Sequence, residues 1–263
     1  MTGVTVETRS VRSSDLPSGP VATLLGGPGS VTLGLPGRAR ITVAGGHVVI
    51  ETASDAVAGD VLAELDSWIV GQTAAQAGCL VLQGAGVARD GRALVLAGRP
   101  RSGCSLVALS LVEQGWSLVS DGVVVLRLTG GRAWAQPGSR RIALDAGAPG
   151  VDGLRTEPLA TAGRRVLVEV AGVGEEVPVD DVVLLVPQTA ADVVTVLPAD
   201  PGVSWSRLTL ARVPDLSGSA RPPDVPDDLV RITTIGVPRT GAAPRAIADG
   251  VLDAVPVGPM GRT

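Results

Sequence analysis

QGAGVARDGRALVLAGRPRSGCSLVALSLVEQGWSLVSDGVVVLRL, residues 83–128, is the stretch from which the fold is read. Arg92 to Ala97 is a short apolar run that suits a buried strand. Gly98 to Ser105 follows as a loop with two glycines and a proline. Leu106 to Val112 is apolar enough for a buried helix, and Gln114-Gly115 ends it. Trp116 to Leu128 returns as a strand with a break at Asp121-Gly122. The order is strand, turn, helix, strand, a βαβ unit. Its turn sits at a helix N-terminus, where free backbone N–H groups favour an anion.

The loop almost spells a phosphate-binding P-loop. That pattern needs Gly, four residues, Gly-Lys, then Ser or Thr. Gly98, Gly103 and Ser105 are in register, and Cys104 stands where the lysine belongs. The context agrees: a strand precedes, a helix follows, and an acidic residue, Asp121, ends the next strand.

These residues carry a resemblance. The stretch is similar to the HPr kinase/phosphorylase family and, more closely, to its short bacterial relatives. Leu82-Gln83-Gly84-Ala85-Gly86-Val87, Asp90-Gly91, the loop, the apolar helix and Gly115-Trp116-Ser117-Leu118-Val119-Ser120-Asp121-Gly122 follow the family's order. Ala135 to Leu144 resembles the Pro-Gly return of the short relatives. The likeness is specific from about Gln83 to Leu128, plausible but weak over 61–255, and absent before that.

The resemblance implies a P-loop fold with a mostly β body around the βαβ unit. It also implies a nucleotide site at Gly98, Arg99, Arg101, Ser102, Gly103, Cys104, Ser105 and Leu106. ATP is then the ligand, with Mg2+ on Ser105 and Asp121, and the N–H groups of Gly103, Cys104 and Ser105 on phosphate. The departures are chemical. Gln83 holds the family's histidine position, Cys104 its lysine, Arg101 an inner glycine, and Gly122 the second aspartate, the base for the acceptor hydroxyl. Pro100 removes one N–H. Loss of one preorganised donor costs roughly 100- to 1000-fold in rate, and loss of a general base about 100- to 10,000-fold more. No catalytic residue is therefore assigned. Arg99 or Arg101 replacing the lysine is the counter-reading, and it leaves Gly122 unrepaired.

Cys104 supports a further reading. A thiol at a helix N-terminus beside two arginines is expected to have a lowered pKa, which would make it reactive. The plainer reading is a small buried residue filling the lysine's place.

The chain has 263 residues with 45% hydrophobic and only 2% aromatic, so Val, Leu and Ala must fill its core. All 22 basic residues are arginines, and the formal net charge is −4. That charge supports neither a nucleic-acid nor a membrane partner. Two cysteines, Cys79 and Cys104, make no disulfide scaffold, and with no apolar leader at the N-terminus the expectation is a cytoplasmic protein. His47 is the lone histidine and reads as a strand-edge residue.

Outward from the central stretch, Val4–Thr8, Val31–Leu35, Arg40–Val43 and His47–Glu51 read as a small β module, with a turn at Gly26 to Gly29. Asp55 to Gly78 is the clearest helix: Val57, Val61, Leu65, Trp68 and Ile69 share a face, Ser54 or Asp55 caps it, and it is expected to pack beside the P-loop unit. Asp90-Gly91 and Gly130-Gly131 mark hairpins. Trp134 reads as core, and Arg140-Arg141 as a solvated pair or a phosphate contact. Val166–Val170, Val182–Val186, Asp192–Leu197 and Arg231–Val237 read as strands. Asp180-Asp181 suggest metal but favour a turn. Residues 213–228 form an irregular loop, a candidate partner surface, and Ala242–Val255 a last helix.

The domains expected are a β module over 1–53, an HPr-kinase-like P-loop domain over 54–256, and a tail over 257–263. The function expected is that of a degenerate kinase-like protein, a pseudokinase that binds a protein partner and in some form a nucleotide. Homo-oligomers are common in the family. The alternatives are an active ATP-dependent kinase of a small molecule or peptide, and a redox or binding protein based on Cys104.

Overall fold

The computed structural model describes residues 5–18, 22–149, 151, 156–158, 165–188, 193–197, 208, 211–214, 216–217, 229–238 and 243–255. The protein is mixed α/β with far more strand than helix. It divides into two compact units. The first is Met1–Val81 with Pro158–Arg165 and Val213–Asp224, and the second is Leu82–Glu157, Val166–Arg212 and Val225–Thr263.

The first unit is a five-stranded sheet with one long helix. Its strands are β1 (Thr5–Ser10), β2 (Thr23–Gly27), β3 (Ser30–Leu35), β4 (Ala39–Ala44) and β5 (His47–Thr52), in the order β1-β5-β4-β3-β2. Neighbours from β2 to β5 are antiparallel, and β1 adds in parallel to β5. Ala39, Ile41 and Val43 alternate inward along β4, the period of a half-buried strand. Helix α1 (Asp55–Gln76) covers that face, with Val61 and Ile69 packed among Val31, Ile41, Val43, Val48 and Ile50. Ser54 caps it, its Oγ accepting from Val57 N at 3.4 Å. Gln76 pins its far end, donating to Val43 O at 3.1 Å and accepting from Gly45 N at 3.0 Å.

The helix is where Asp55–Gly78 predicts it. Within its unit it packs on the five-stranded sheet, because the alternating strands leave an apolar face that the adjoining helix stripe matches. Strand β2 takes in Gly26 and Gly27, so only Pro28-Gly29 form the turn.

The second unit holds β6 (Leu80–Arg89), β7 (Arg92–Ala97), α2 (Cys104–Glu113), β8 (Ser117–Thr129), β9 (Arg132–Ala135), β10 (Arg141–Asp145), β11 (Thr156–Pro158), β12 (Arg165–Glu169), β13 (Val177–Gln188), β14 (Thr195–Val196), β15 (Arg231–Pro238) and α3 (Pro244–Ala254). A seven-stranded sheet runs β14-β15-β13-β7-β6-β8-β9, and β10-β12-β11 form a second sheet. Strand β13 lies parallel to both β7 and β15. Asp90 and Gly91 turn β6 into β7 with φ of 53° and 71°, and Gly130 and Gly131 turn β8 into β9 with φ of 62° and 70°. Two successive positive φ angles are what a two-residue hairpin of matching twist requires. The first residues of β13, Val177–Val179, also pair with β9, so β13, β7, β6, β8 and β9 close into a ring. Helices α2 and α3 bury Val107, Leu111, Ile247 and Val251 against Leu96, Val183 and Ile235.

Two local expectations change. Strand β8 continues through Asp121-Gly122, and the expected break is reduced to a local irregularity at Gly122, whose φ of 82° lies outside extended backbone. Asp180 and Asp181 lie within β13 and form no turn, since each has an arginine. Arg92 meets Asp180 at 2.8 Å, and Arg231 grips the buried Asp181 at 2.5 and 3.1 Å. The Asp192–Leu197 run shortens to β14, residue 192 lying outside the described residues, as do most of 213–228 and all of the 257–263 tail. Among the described residues no helix is long and apolar enough to cross a membrane.

Candidate functional site

The loop 98–105 leaves the C-terminal end of β7 and enters α2. Its first residue is held on two sides. Gly98 N donates to Gln83 O at 3.1 Å, so Gln83 contributes through its main chain. A Cβ on Gly98 would lie 3.0 Å from Leu185 O and 2.4 Å from Ser102 Oγ, so only glycine fits.

The chain then turns. Ser102 N donates to Arg99 O at 3.0 Å. Pro100 takes the second position and Arg101 the third, with φ of 68°. Proline followed by a positive φ is the signature of a type II turn, whose third position favours glycine. Arg101 therefore keeps a glycine's backbone while carrying a side chain. Gly103, at φ of 94°, leads into the helix.

Cys104 is the first helical residue and is 7% exposed within the main core cluster. Its Sγ lies 3.2 Å from Ser102 Oγ. Burial pushes the thiol up to about 12, which the Ser102 hydrogen bond opposes and the Asp121 charge reinforces. The expectation of a lowered pKa is thus overturned. Arg99 and Arg101 are exposed, while the sulfur lies in the core, where the charged form is disfavoured.

Ser105 and Asp121, the residues implied for metal, are in direct contact. Ser105 Oγ donates to Asp121 Oδ1 at 2.7 Å, and Ala143 N donates to Asp121 Oδ2 at 3.1 Å. Asp121 is 7% exposed. Its carboxylate ties α2, β8 and β10 together. Among the described residues no group of three His, Cys, Asp or Glu side chains gathers as a metal site.

The implied site residues divide into three sets. Ser102, Cys104, Ser105 and Asp121 come together by their side chains. Gly98 and Gly103 shape the backbone. Arg99 and Arg101 point to solvent, and Leu106 packs half-buried against the core. The remaining candidates lie in other settings. Trp134 is half-buried opposite Pro178 on β13. The stem of Arg140 lies against Gly172. Arg141 lies 3.8 Å from Glu157. The contributions of Ala143 and Leu185 are main-chain ones and leave no mark in the sequence.

No family model matches the chain, and no curated protein matches it. Among solved structures the chain is similar to the Hpr(Ser) kinase/phosphatase from Coxiella burnetii, at 14% identity and a TM-score of 0.34, over 60% of this chain and 85% of that one.

Proposed function

We propose that this chain is a degenerate HPr-kinase-like P-loop protein that transfers no phosphate and acts by binding a protein partner. The observation that carries this reading is Cys104: a buried, neutral thiol stands where the P-loop pattern has its lysine. Phosphoryl transfer rests on positioning and on stabilising charge on the phosphoryl oxygens, and a neutral thiol supplies no positive charge. Gly122 offers no base in place of the family's second aspartate. Ser105 and Asp121, one hydroxyl and one carboxylate, are the residues that would hold Mg2+ beside nucleotide phosphates, and here they are bonded to each other.

A second reading, an active kinase of a small molecule or peptide, draws on the exposed guanidinium groups of Arg99 and Arg101 at the loop. Calorimetric titration with ATP and ADP, with and without Mg2+, separates the two. The proposal expects no binding tighter than millimolar from the natural chain. Micromolar, Mg2+-dependent binding that Asp121→Ala abolishes would favour the kinase. Cross-links to a protein partner in the native cell, retained in Asp121→Ala, are the expected positive result.

A further inference from the structure

We infer that the returning segment at 213–217 is a strap on the first unit, locked by the side chain of Gln72, and that it lifts off as a piece while the sheet beneath stays folded. Gln72 lies on α1 and is 1% exposed. Its Nε2 donates to Pro214 O at 3.2 Å, and its Oε1 accepts from Leu216 N at 3.3 Å. Both ends of one buried amide are thus spent on main-chain groups 142 and 144 residues further along the chain.

The segment continues along the same unit. Val213 N donates to Val81 O at 2.9 Å, and Gly29 N, in the β2–β3 turn, donates to Ser217 O at 3.3 Å. Leu216 packs its side chain against the apolar cluster of α1 and β3–β5. Its carbonyl lies over β2, where a Cβ on Gly26 would come within 2.4 Å of the oxygen, so the strap requires a glycine beneath it.

Two features make the strap separable. Strands β1–β5 and helix α1 follow one another from Thr5 to Gln76, and they hold together through their own ladders and the core of Val31, Ile41, Val43, Val48 and Ile50. Residues 213, 214, 216 and 217 belong to no strand or helix, and the bonds of the last three to Gln72 and Gly29 are at the long end of the range for N–H donors. Segments of this kind open at the low end of a protein's range of local stabilities. Lifting the strap bares the Gln72 amide and the apolar surface under Leu216, a seat that reads main chain and one aliphatic side chain. Its occupant in this protein is the chain's own segment.

The test is amide hydrogen exchange, read by NMR, in the natural chain and in Gln72→Met. The strap predicts that the amides of Leu216 and Gly29 exchange at least tenfold faster in the variant, while the amides of β4 keep their rates. Gly29 is the decisive reporter, since it is bonded to Ser217 and not to Gln72. Acceleration at Leu216 alone reduces Gln72 to a local bond and overturns the strap. Unchanged rates at both positions overturn it as well, and so does an equal acceleration in β4, which means that the segment opens only with the whole unit. If Gln72→Met does not fold, Leu216→Ala is read at residue 216, at Gly29 and in β4, with the same outcomes.

Discussion

Ser105 and Asp121 are joined side chain to side chain, the hydroxyl donating to Oδ1 at 2.7 Å, while Oδ2 accepts from the backbone of Ala143. A carboxylate that a P-loop enzyme would commit to a cation is committed to the protein itself. Asp121→Ala leaves two donors beside a strand without that acceptor. The expected loss is roughly 1–3 kcal/mol of stability, read as a lower urea midpoint with an unchanged denaturant slope. Asp121→Asn keeps one acceptor and should lose less. A variant as stable as the natural chain would show that the pair contributes nothing to folding.

Alkaline titration reports on the two thiols, Cys79 and Cys104. The chain contains no Lys and no Tyr, so thiols are the side chains that titrate between about 9 and 12. Burial raises Cys104 from 9.0 to about 12. The unfolded thiol therefore loses its proton at lower pH than the folded one. The stabilising contribution is fully present below pH 9 and is lost as pH rises toward 12. The slope reaches about 1.4 kcal/mol per pH unit for a single group. Unfolding followed from pH 8 to 11 should show this fall, and Cys104→Ala should remove it. The same burial predicts that iodoacetamide at pH 7.5 leaves Cys104 of the natural chain unmodified.

Two glycines should respond in opposite directions. Gly84 has φ of 150°, and a Cβ there would lie 1.9 Å from Leu96 O. Gly84→Ala should cost roughly 1–3 kcal/mol or more, seen as a lower thermal midpoint or insoluble protein. Gly59 is exposed inside α1 with nothing within 4 Å of an added Cβ. Gly59→Ala should stabilise by about 1 kcal/mol. A neutral Gly84→Ala would contradict the β6–β7 packing.

Arg101 holds a left-handed backbone at φ of 68°, which costs a side-chain-bearing residue roughly 1–2 kcal/mol. Glycine relieves that strain but gives back part of the gain through a more flexible unfolded chain. Arg101→Gly should therefore raise stability by roughly 0.5–1 kcal/mol in chemical denaturation. A loss would mean that the exposed guanidinium makes a stabilising contact.

Much of this fold was legible in residues with one physical meaning. Asp90-Gly91 and Gly130-Gly131 marked two hairpins of the second unit because few residues accept two positive φ angles. The apolar stripe from Val57 to Ile69 marked α1, and Pro244 sits in the first turn of α3, where its missing N–H costs nothing. What was not legible depends on partners far along the chain. Carboxylates are poor strand formers, so Asp180 and Asp181 read as a turn until Arg92 and Arg231 are seen beside them. The stripe from Val57 to Ile69 on α1 does not show which strands the helix covers, and residues 71–75 are buried on every side of it. At the candidate site the motif located the loop and the Ser105–Asp121 pair. The buried Cys104 of the plainer reading is what the structure shows, while the lowered pKa expected from the helix N-terminus is not, because burial outweighs it.

Strand β9 has β8 on one side and the start of β13 on the other, and that second partner is made well after β9 itself. During synthesis the β8–β9 hairpin leaves the ribosome with its outer edge open, a site where extended segments of other chains can pair. The edge is sealed once Val177–Val179 emerge. A nascent chain stalled between β9 and β13 therefore carries an open strand edge that the finished ring no longer has.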